Sequence, residues 1–393
     1  MKILFVHNKY QVRGGEDTVL DNEISMLRNQ GHEVDVFIVS NDTVVGFFSK
    51  AGAALNCIYS IASYHTFSRV LLKIKPDIVH VHNFFPKISP SVFYACNKNR
   101  VPVVHTLHNF RSICPSATLM HKGEVCEESV TKSPFWTVSK KVYKGSVIGT
   151  FFLYIMVVVH RKIGTWNKRV DGYIALTEFS KSIYINAGWP QEKLYVKPNS
   201  VCERYGEKEL PKSKRNFVLY VGRLSEEKGL DFLLGRFASL GVPLKIVGDG
   251  PLKSDVEALS KKYAHIEYLG LLEHSAVMEL LNNATCLVMA STWYEGFPMV
   301  IVEAYALGIP VVVPNLGNMA AVVEEGVTGL KYKPGDPHSF DAKVKKIFYD
   351  EEYRSLLSES TKACYQKRYT PDLNYETLLS IYEDVIHNYK GSL

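Results

Sequence analysis

Ten short apolar runs, five on either side of a polar linker, constrain this chain more than any other feature. The first five are Lys2–His7, Glu33–Ser40, Asp77–His82, Pro102–Leu107 and Gly172–Leu176. The second five are Phe217–Val221, Leu244–Val247, Ile266–Leu269, Cys286–Ala290 and Val311–Pro314. Runs this short and continuous suit parallel strands covered on both faces. Between them lie helix-length stretches: Glu16–Asn29 closed by Gly31, a long one from about Phe47 to Lys75, and Pro90–Asn99. Such alternation predicts βαβ units. Residues 198–215 are polar and contain proline, as a domain boundary does. The expectation is an α/β chain of two doubly wound domains, 1–200 and 201–374, with parallel sheets facing a cleft. A helical tail runs from Phe340 to Tyr389.

In such sheets ligands bind beyond the carboxyl ends of the strands. Polar, basic and glycine residues recur there: His7 with Gly14 and Gly15, His82-Asn83, His108-Asn109, Thr177-Glu178, Gly222-Arg223, Gly248-Asp249-Gly250, and Glu295. Gly14 and Gly15 follow Arg13 and open the first helix, where a backbone without Cβ atoms can approach a ligand. A plain turn accounts for them equally, and G-x-G-x-x-G is absent. His108 can hydrogen-bond a substrate or be a satisfied loop histidine. His80 and His105 lie within strands and read as core.

Ser291–Pro310 combines a strand end, a loop and a helix. Glu295 and Gly296 sit in the loop, Pro298 suits the first helical turn, and Gly308 with Pro310 suits the stop. The N–H groups of Phe297, Met299 and Val300 lie at the helix mouth, which favours an anion. Glu303 follows about a turn and a half into the helix, so a phosphate seat gains a carboxylate on either side. Upstream, Gly222–Gly229 (G-R-L-S-E-E-K-G) offers Arg223, whose guanidinium can fork onto phosphate oxygens, and Lys228, a second point charge. A solvated loop with an internal Glu–Lys pairing is the competing reading. A pyrophosphate needs cations as well as a helix mouth, so the two segments support each other.

Seven scattered cysteines with no C-x-x-C pair suggest neither a disulfide framework nor a zinc site. Cys114 and Cys126 read as simple buried thiols. The amino terminus reads as a strand and not a signal peptide, which makes a reducing cytoplasm the expected compartment. No Asp-x-Asp occurs to seat a divalent ion, so no required metal is expected. Charge is lopsided: residues 1–200 hold 24 Lys and Arg against 14 Asp and Glu, and the remainder holds 22 against 26. Residues 130–170 carry eight basic side chains, no acidic ones, and the apolar stretch Gly145–Val159. Fifteen residues fall short of the ~20 that span a bilayer. Such a helix can lie in an anionic membrane surface or be buried in a core. No nucleic-acid-binding motif is present.

Together these residues resemble the retaining glycosyltransferases of family 4, which have the GT-B fold of two Rossmann-like domains. The resemblance rests on G-R-L-S-E-E-K-G at 222–229 and E-G-F-P-M-V-I-V-E-A at 295–304. K-P-D-I-V-H-V-H-N at 75–83, H-T-L-H-N at 105–109 and A-L-T-E-F-S at 175–180 are typical of a bacterial surface-polysaccharide subgroup. It implies a nucleotide-diphosphate-sugar donor and a saccharide acceptor, lipid-linked in the O-antigen or capsule manner, handled at the inner face of the membrane. It implies that Arg223 and Lys228 neutralise the diphosphate, Glu303 binds the ribose and Glu295 the sugar, with backbone from Gly296 through Phe297 and Pro298 to Met299. Gly14 and Gly15 would close over the phosphates, His108 would approach the sugar, and Gly250 and Pro251 would lie near the base. Residues 375–393 would pack back onto the first domain. Many relatives carry a second cysteine after the position of Cys126, where this chain has Glu127-Glu128-Ser129. A nucleotide-sugar epimerase on the same fold, or a non-catalytic nucleotide-sugar-binding subunit, are the alternatives.

Overall fold

The computed structural model describes residues 1–9, 14–40, 55–201 and 215–391. The chain divides into two compact units. One comprises Met1–His121, Cys126–Pro198 and Asn374–Leu393; the other comprises Lys122–Val125 and Asn199–Leu373. The tail therefore belongs with the first unit from Asn374 onward.

The first unit holds β1 (Lys2–Lys9), α1 (Gly15–Asn29), β2 (Glu33–Ser40), α2 (Ile61–Ile74), β3 (Ile78–Asn83), α3 (Ser91–Lys98), β4 (Val103–Leu107), α4 (Val147–Lys162), β5 (Gly172–Ala175), α5 (Glu178–Asn186) and β6 (Leu194–Val196). Its strands pair in the order β2-β1-β3-β4-β5-β6, all parallel. The order reverses direction between β1 and β3, so the ends of these two strands flank a switch point. The expected long helix from Phe47 differs: residues 47–54 lie outside the described residues, and α2 begins only at Ile61. Ser60 starts it, its hydroxyl accepting from the Ser63 N–H.

The second unit holds β7 (Val218–Val221), α6 (Leu230–Leu240), β8 (Leu244–Val247), α7 (Lys253–Lys262), β9 (Ile266–Tyr268), α8 (His274–Asn283), β10 (Cys286–Val288), α9 (Met299–Ala306), β11 (Val311–Pro314), α10 (Gly317–Val322), β12 (Gly329–Tyr332), α11 (Pro337–Tyr349) and α12 (Glu351–Arg368). Its sheet runs β9-β8-β7-β10-β11-β12, again parallel, with the switch between β7 and β10. Both faces are covered. Leu219, Leu287, Val311 and Val313 enter one core with Ile301 and Tyr305, while Val218, Tyr220, Val288 and Val312 enter another with Leu233 and Phe340. That two-sided burial is why these strands read as continuous apolar runs rather than alternating ones.

The tail is three helices, because Asp350 and Tyr369-Thr370 interrupt it: α11, α12 and α13 (Pro371–Gly391). Leu378, Ile381, Tyr382 and Val385 of α13 are buried with Phe5, Leu20, Val104 and Ile174. At roughly 1.5–3 kcal/mol for each such side chain, the helix is an integral part of that core. Its approach requires Gly172, where a Cβ would fall 2.6 Å from a Val385 methyl. Strands β6 and β12 were not foreseen; each is a sheet edge, short and partly polar.

Candidate active site

The loops after β7, β8 and β9 are pressed together backbone to backbone. Gly222 N–H donates to Val247 O, Leu224 N–H to Asp249 O, and Gly248 N–H to Gly270 O. A Cβ at Gly248 would lie 1.9 Å from Gly222 O, and one at Gly250 would lie 2.4 Å from Leu224 O. Packing within the protein thus demands glycine at both positions. Gly229, with φ +65, meets the end of β10 in the same way, its absent Cβ 1.9 Å from Ala290 O. This contact brings Lys228 beside the loop of Glu295.

Lys228 does not pair within its own loop, as the competing sequence reading had it. Its Nζ lies 2.7 and 2.9 Å from the two oxygens of Glu295. Ser291 Oγ (2.5 Å) and Trp293 Nε1 (3.0 Å) also donate to Oε1 of that buried carboxylate, and Lys228 sits over the Trp293 ring. The amide of buried Asn318 donates to the carbonyls of Glu295 and Gly296, fixing the loop from behind. Ser291, Trp293 and Asn318 were missed as site residues. The first two flank Glu295 in sequence, which was the available signal; Asn318 arrives from α10.

Arg223 is exposed, and no described residue pairs with its guanidinium. Among the described residues the N–H groups of Phe297, Met299 and Val300 bond no other residue, and they open onto the start of α9 beyond Pro298. Glu303 lies on α9 with its carboxylate mostly covered. Burial raises its pKa, offset by His274, whose Nε2 stands 4.0 Å away. The contrast between the glutamates is chemical: Glu295 is saturated with donors, whereas Glu303 has acceptor capacity to spare. A switch point with an unpaired guanidinium, an ammonium and a helix mouth suits a diphosphate, and Glu303 suits a diol.

In the first unit His108 follows β4 and is 8 % exposed, its Nε2 3.0 Å from His82 Nδ1. His80, His82 and His105 are buried. Gly14 caps α1, and its N–H donates to Asp17, which also bonds His7. A Cβ at Gly14 or Gly15 would meet nothing within 4 Å, so the protein itself makes no demand for glycine there. Glu16, read in the sequence only as the start of a helix, accepts from Asn109 Nδ2 at 3.1 Å through one oxygen, while the other is buried with no partner among the described residues. Burial pushes its carboxyl up to about 7, with Asp17 adding and Asn109 and Arg111 opposing.

Among the described residues one cluster has metal-ligand chemistry, Glu23 with His80 and His82, their ligand atoms within 4.8 Å. It fits an ion poorly, because Lys197 Nζ already holds Glu23 at 2.8 Å and His80 Nδ1 is bonded to Tyr382. No disulfide joins Cys114 and Cys126; Cys114 is buried, and Cys126 only partly so.

Comparison with known proteins follows this division. The profile "Glycosyltransferase Family 4" matches residues 13–203, and "Glycosyl transferases group 1" matches 203–363. The chain belongs to the GT-B glycosyltransferases. This glycosyltransferase is 23 % identical to an uncharacterised glycosyltransferase of Methanocaldococcus jannaschii, over 83 % of this chain and 81 % of that one. It is 27 % identical to the capsular polysaccharide biosynthesis glycosyltransferase CapM of Staphylococcus aureus, over 58 % and 60 %. Its fold is similar to that of Anabaena HepE solved with UDP, with TM-score 0.67 at 17 % identity over the whole of both chains.

On the surface of α4, Val147, Ile148 and Phe151 are exposed, Ile148 to 68 %, with Phe135 and Ile163 nearby in sequence. Lys140, Lys141, Lys144, Lys162 and Lys168 flank them. The first half of α4 is thus not the fully buried helix of the alternative reading, although Leu153, Met156 and Val157 are core. No described helix is long and apolar enough to cross a membrane.

Proposed function

We propose that this enzyme transfers a glycosyl group from a nucleotide-diphosphate sugar, with retention of configuration and without a required metal, to a hydroxyl of a lipid-linked saccharide. The setting is cell-surface polysaccharide assembly, at the cytoplasmic face of the membrane. The observation that carries this reading is the Lys228–Glu295 pair at the second unit's switch point, with Lys228 in the same loop as the exposed Arg223, which pairs with no described residue.

A diphosphate seated on the α9 mouth and Arg223 draws Lys228 away from Glu295. The exchange frees the Glu295 carboxylate to accept from hydroxyls of the donor sugar, while Glu303 accepts from the ribose. The acceptor oxygen then bonds to the anomeric carbon on the face from which the phosphate departs. Its proton passes to a phosphate oxygen, and the bonding pair of the broken C–O bond stays on the diphosphate. Two cations and backbone N–H groups stabilise that leaving charge, which accounts for most of the lowering of the barrier. The same cations take the place of a divalent ion. In the first unit, His108 is the group proposed for the donor sugar, and the glycines at 14 and 15 those proposed for the phosphates.

Relatives support the setting: CapM is named for capsular polysaccharide biosynthesis, and a 24 % identical Klebsiella pneumoniae protein, matched over 91 % of this chain, lies in a cps region. The α4 face, apolar and ringed by lysines, supports attachment to anionic lipid. The test is transfer from a labelled donor in the presence of EDTA, with the new anomeric centre read by proton NMR. An α-linked donor giving an α-linked product is expected; an inverted product, or complete loss of activity with EDTA, contradicts the mechanism.

A further inference from the structure

The first unit contains a line of buried polar groups that nothing in the transfer chemistry yet uses. Asn374, at the start of α13, accepts from Lys197 Nζ at 3.1 Å. Lys197, at the end of β6 and 1 % exposed, reaches Glu23 Oε1 at 2.8 Å. Glu23 Oε2 lies 3.2 Å from His82 Nε2, and His82 Nδ1 lies 3.0 Å from His108 Nε2. We propose that Lys197, Glu23 and His82 act as positioning residues that hold His108 in its Nε2–H tautomer, so that Nδ1 is a bare hydrogen-bond acceptor at the carboxyl end of β4.

The proton count leaves little choice. Burial by itself would raise the Glu23 pKa, but the neighbouring charges, the Lys197 ammonium foremost, hold the carboxyl well below its usual range. A bare ring nitrogen 3.2 Å from an ionised carboxylate oxygen would be repelled, so the His82 proton sits on Nε2, although the two atoms are not aligned as a hydrogen bond. A doubly protonated His82 would set two buried cations against one carboxylate. His82 is then neutral, with a lone pair on Nδ1, and His108 Nε2 must supply the proton between the rings. Burial holds His108 well below its usual value, so it carries no second proton. His108 Nδ1 bonds no described residue. What it receives, a hydroxyl of the bound donor sugar, rests on the function proposed above; the tautomer does not.

The measurement is a multiple-bond proton–nitrogen NMR correlation on the full chain labelled with [15N]histidine, with the His108 ring assigned by its loss in His108→Gln. Protonated Nε2 and bare Nδ1 are expected at both His82 and His108. A protonated Nδ1 on His108, or an imidazolium there, overturns the proposal. Folded Glu23→Gln adds a second arm: its amide donates to His82 Nε2, so both rings should reverse to Nδ1–H, and glycosyl transfer should fall at least tenfold. Unchanged tautomers in that variant also overturn it. The wild-type spectrum decides even where the variant does not fold. Absence of donor binding would remove the sugar hydroxyl while leaving the tautomer prediction standing, so the two failures are distinguishable.

Discussion

The two strand-end clusters face opposite electrostatic tasks with sheets of nearly the same design. In the second unit the switch point is stripped of side chains by Gly222, Gly229, Gly248 and Gly250, and its charges are exposed or exchangeable: Arg223 pairs with no described residue and Lys228 is shared with Glu295. In the first unit the switch point is lined by imidazoles, and the Lys197–Glu23 pair is compensated out of reach of solvent. The difference teaches that one surface is built to take an anion. The other suits a neutral, hydroxyl-bearing group, because a buried compensated pair leaves no net field to offer.

The largest expected effect lies on the anionic side. Lys228→Ala should lower turnover at saturating donor by about two to three orders of magnitude, as loss of transition-state charge stabilisation does. Near-normal turnover would break the comparison. Glu303→Ala should weaken nucleotide affinity about tenfold, the loss of ~1.4 kcal/mol of hydrogen bonding, with little change in turnover of bound donor. Glu295→Ala should mainly lower transfer. Calorimetric titration beside steady-state rates separates them, and indistinguishable defects would show that the glutamates do not divide the donor.

The neutral side makes a pH prediction. Glu16 titrates near 4.5 when unfolded and at about 7 when folded. The folded state therefore holds an extra proton between these values, and stability falls as pH rises through that window. Glu16→Gln removes the dependence: its stability should match wild type below pH 4.5 and exceed it by roughly 1–3 kcal/mol above pH 7. Thermal melts at both pH values check this, and parallel curves would mean that the carboxylate is solvated. The last effect concerns the membrane. Ile148→Glu with Phe151→Glu should weaken binding to vesicles rich in anionic lipid about tenfold or more while leaving the fold intact.

The fold was legible because both sheets are doubly covered, so their strands stand out as apolar runs. Edge strands Leu194–Val196 and Gly329–Tyr332 lacked that signature. Arg223, Lys228 and Glu295 were legible as candidates because they follow strand ends in sequence, and Glu303 because it lies in the helix that comes next. Glu16, Asn318 and the Lys197–Glu23–His82 line were not, because each acts through partners far away in the chain. Nor could spacing reveal that Lys228 and Glu295 hold each other: sixty-seven positions separate them, and only the absent Cβ of Gly229 lets their loops meet.

That meeting is the centre of the account, and donor binding tests it most directly. Thermal shift with UDP, GDP, ADP, CMP and dTDP and their sugar conjugates, each with and without EDTA, should single out one nucleotide class that stabilises the wild-type chain irrespective of chelator. Lys228→Ala should lose most of that shift. No response to any nucleotide, or an undiminished shift in Lys228→Ala, would contradict it.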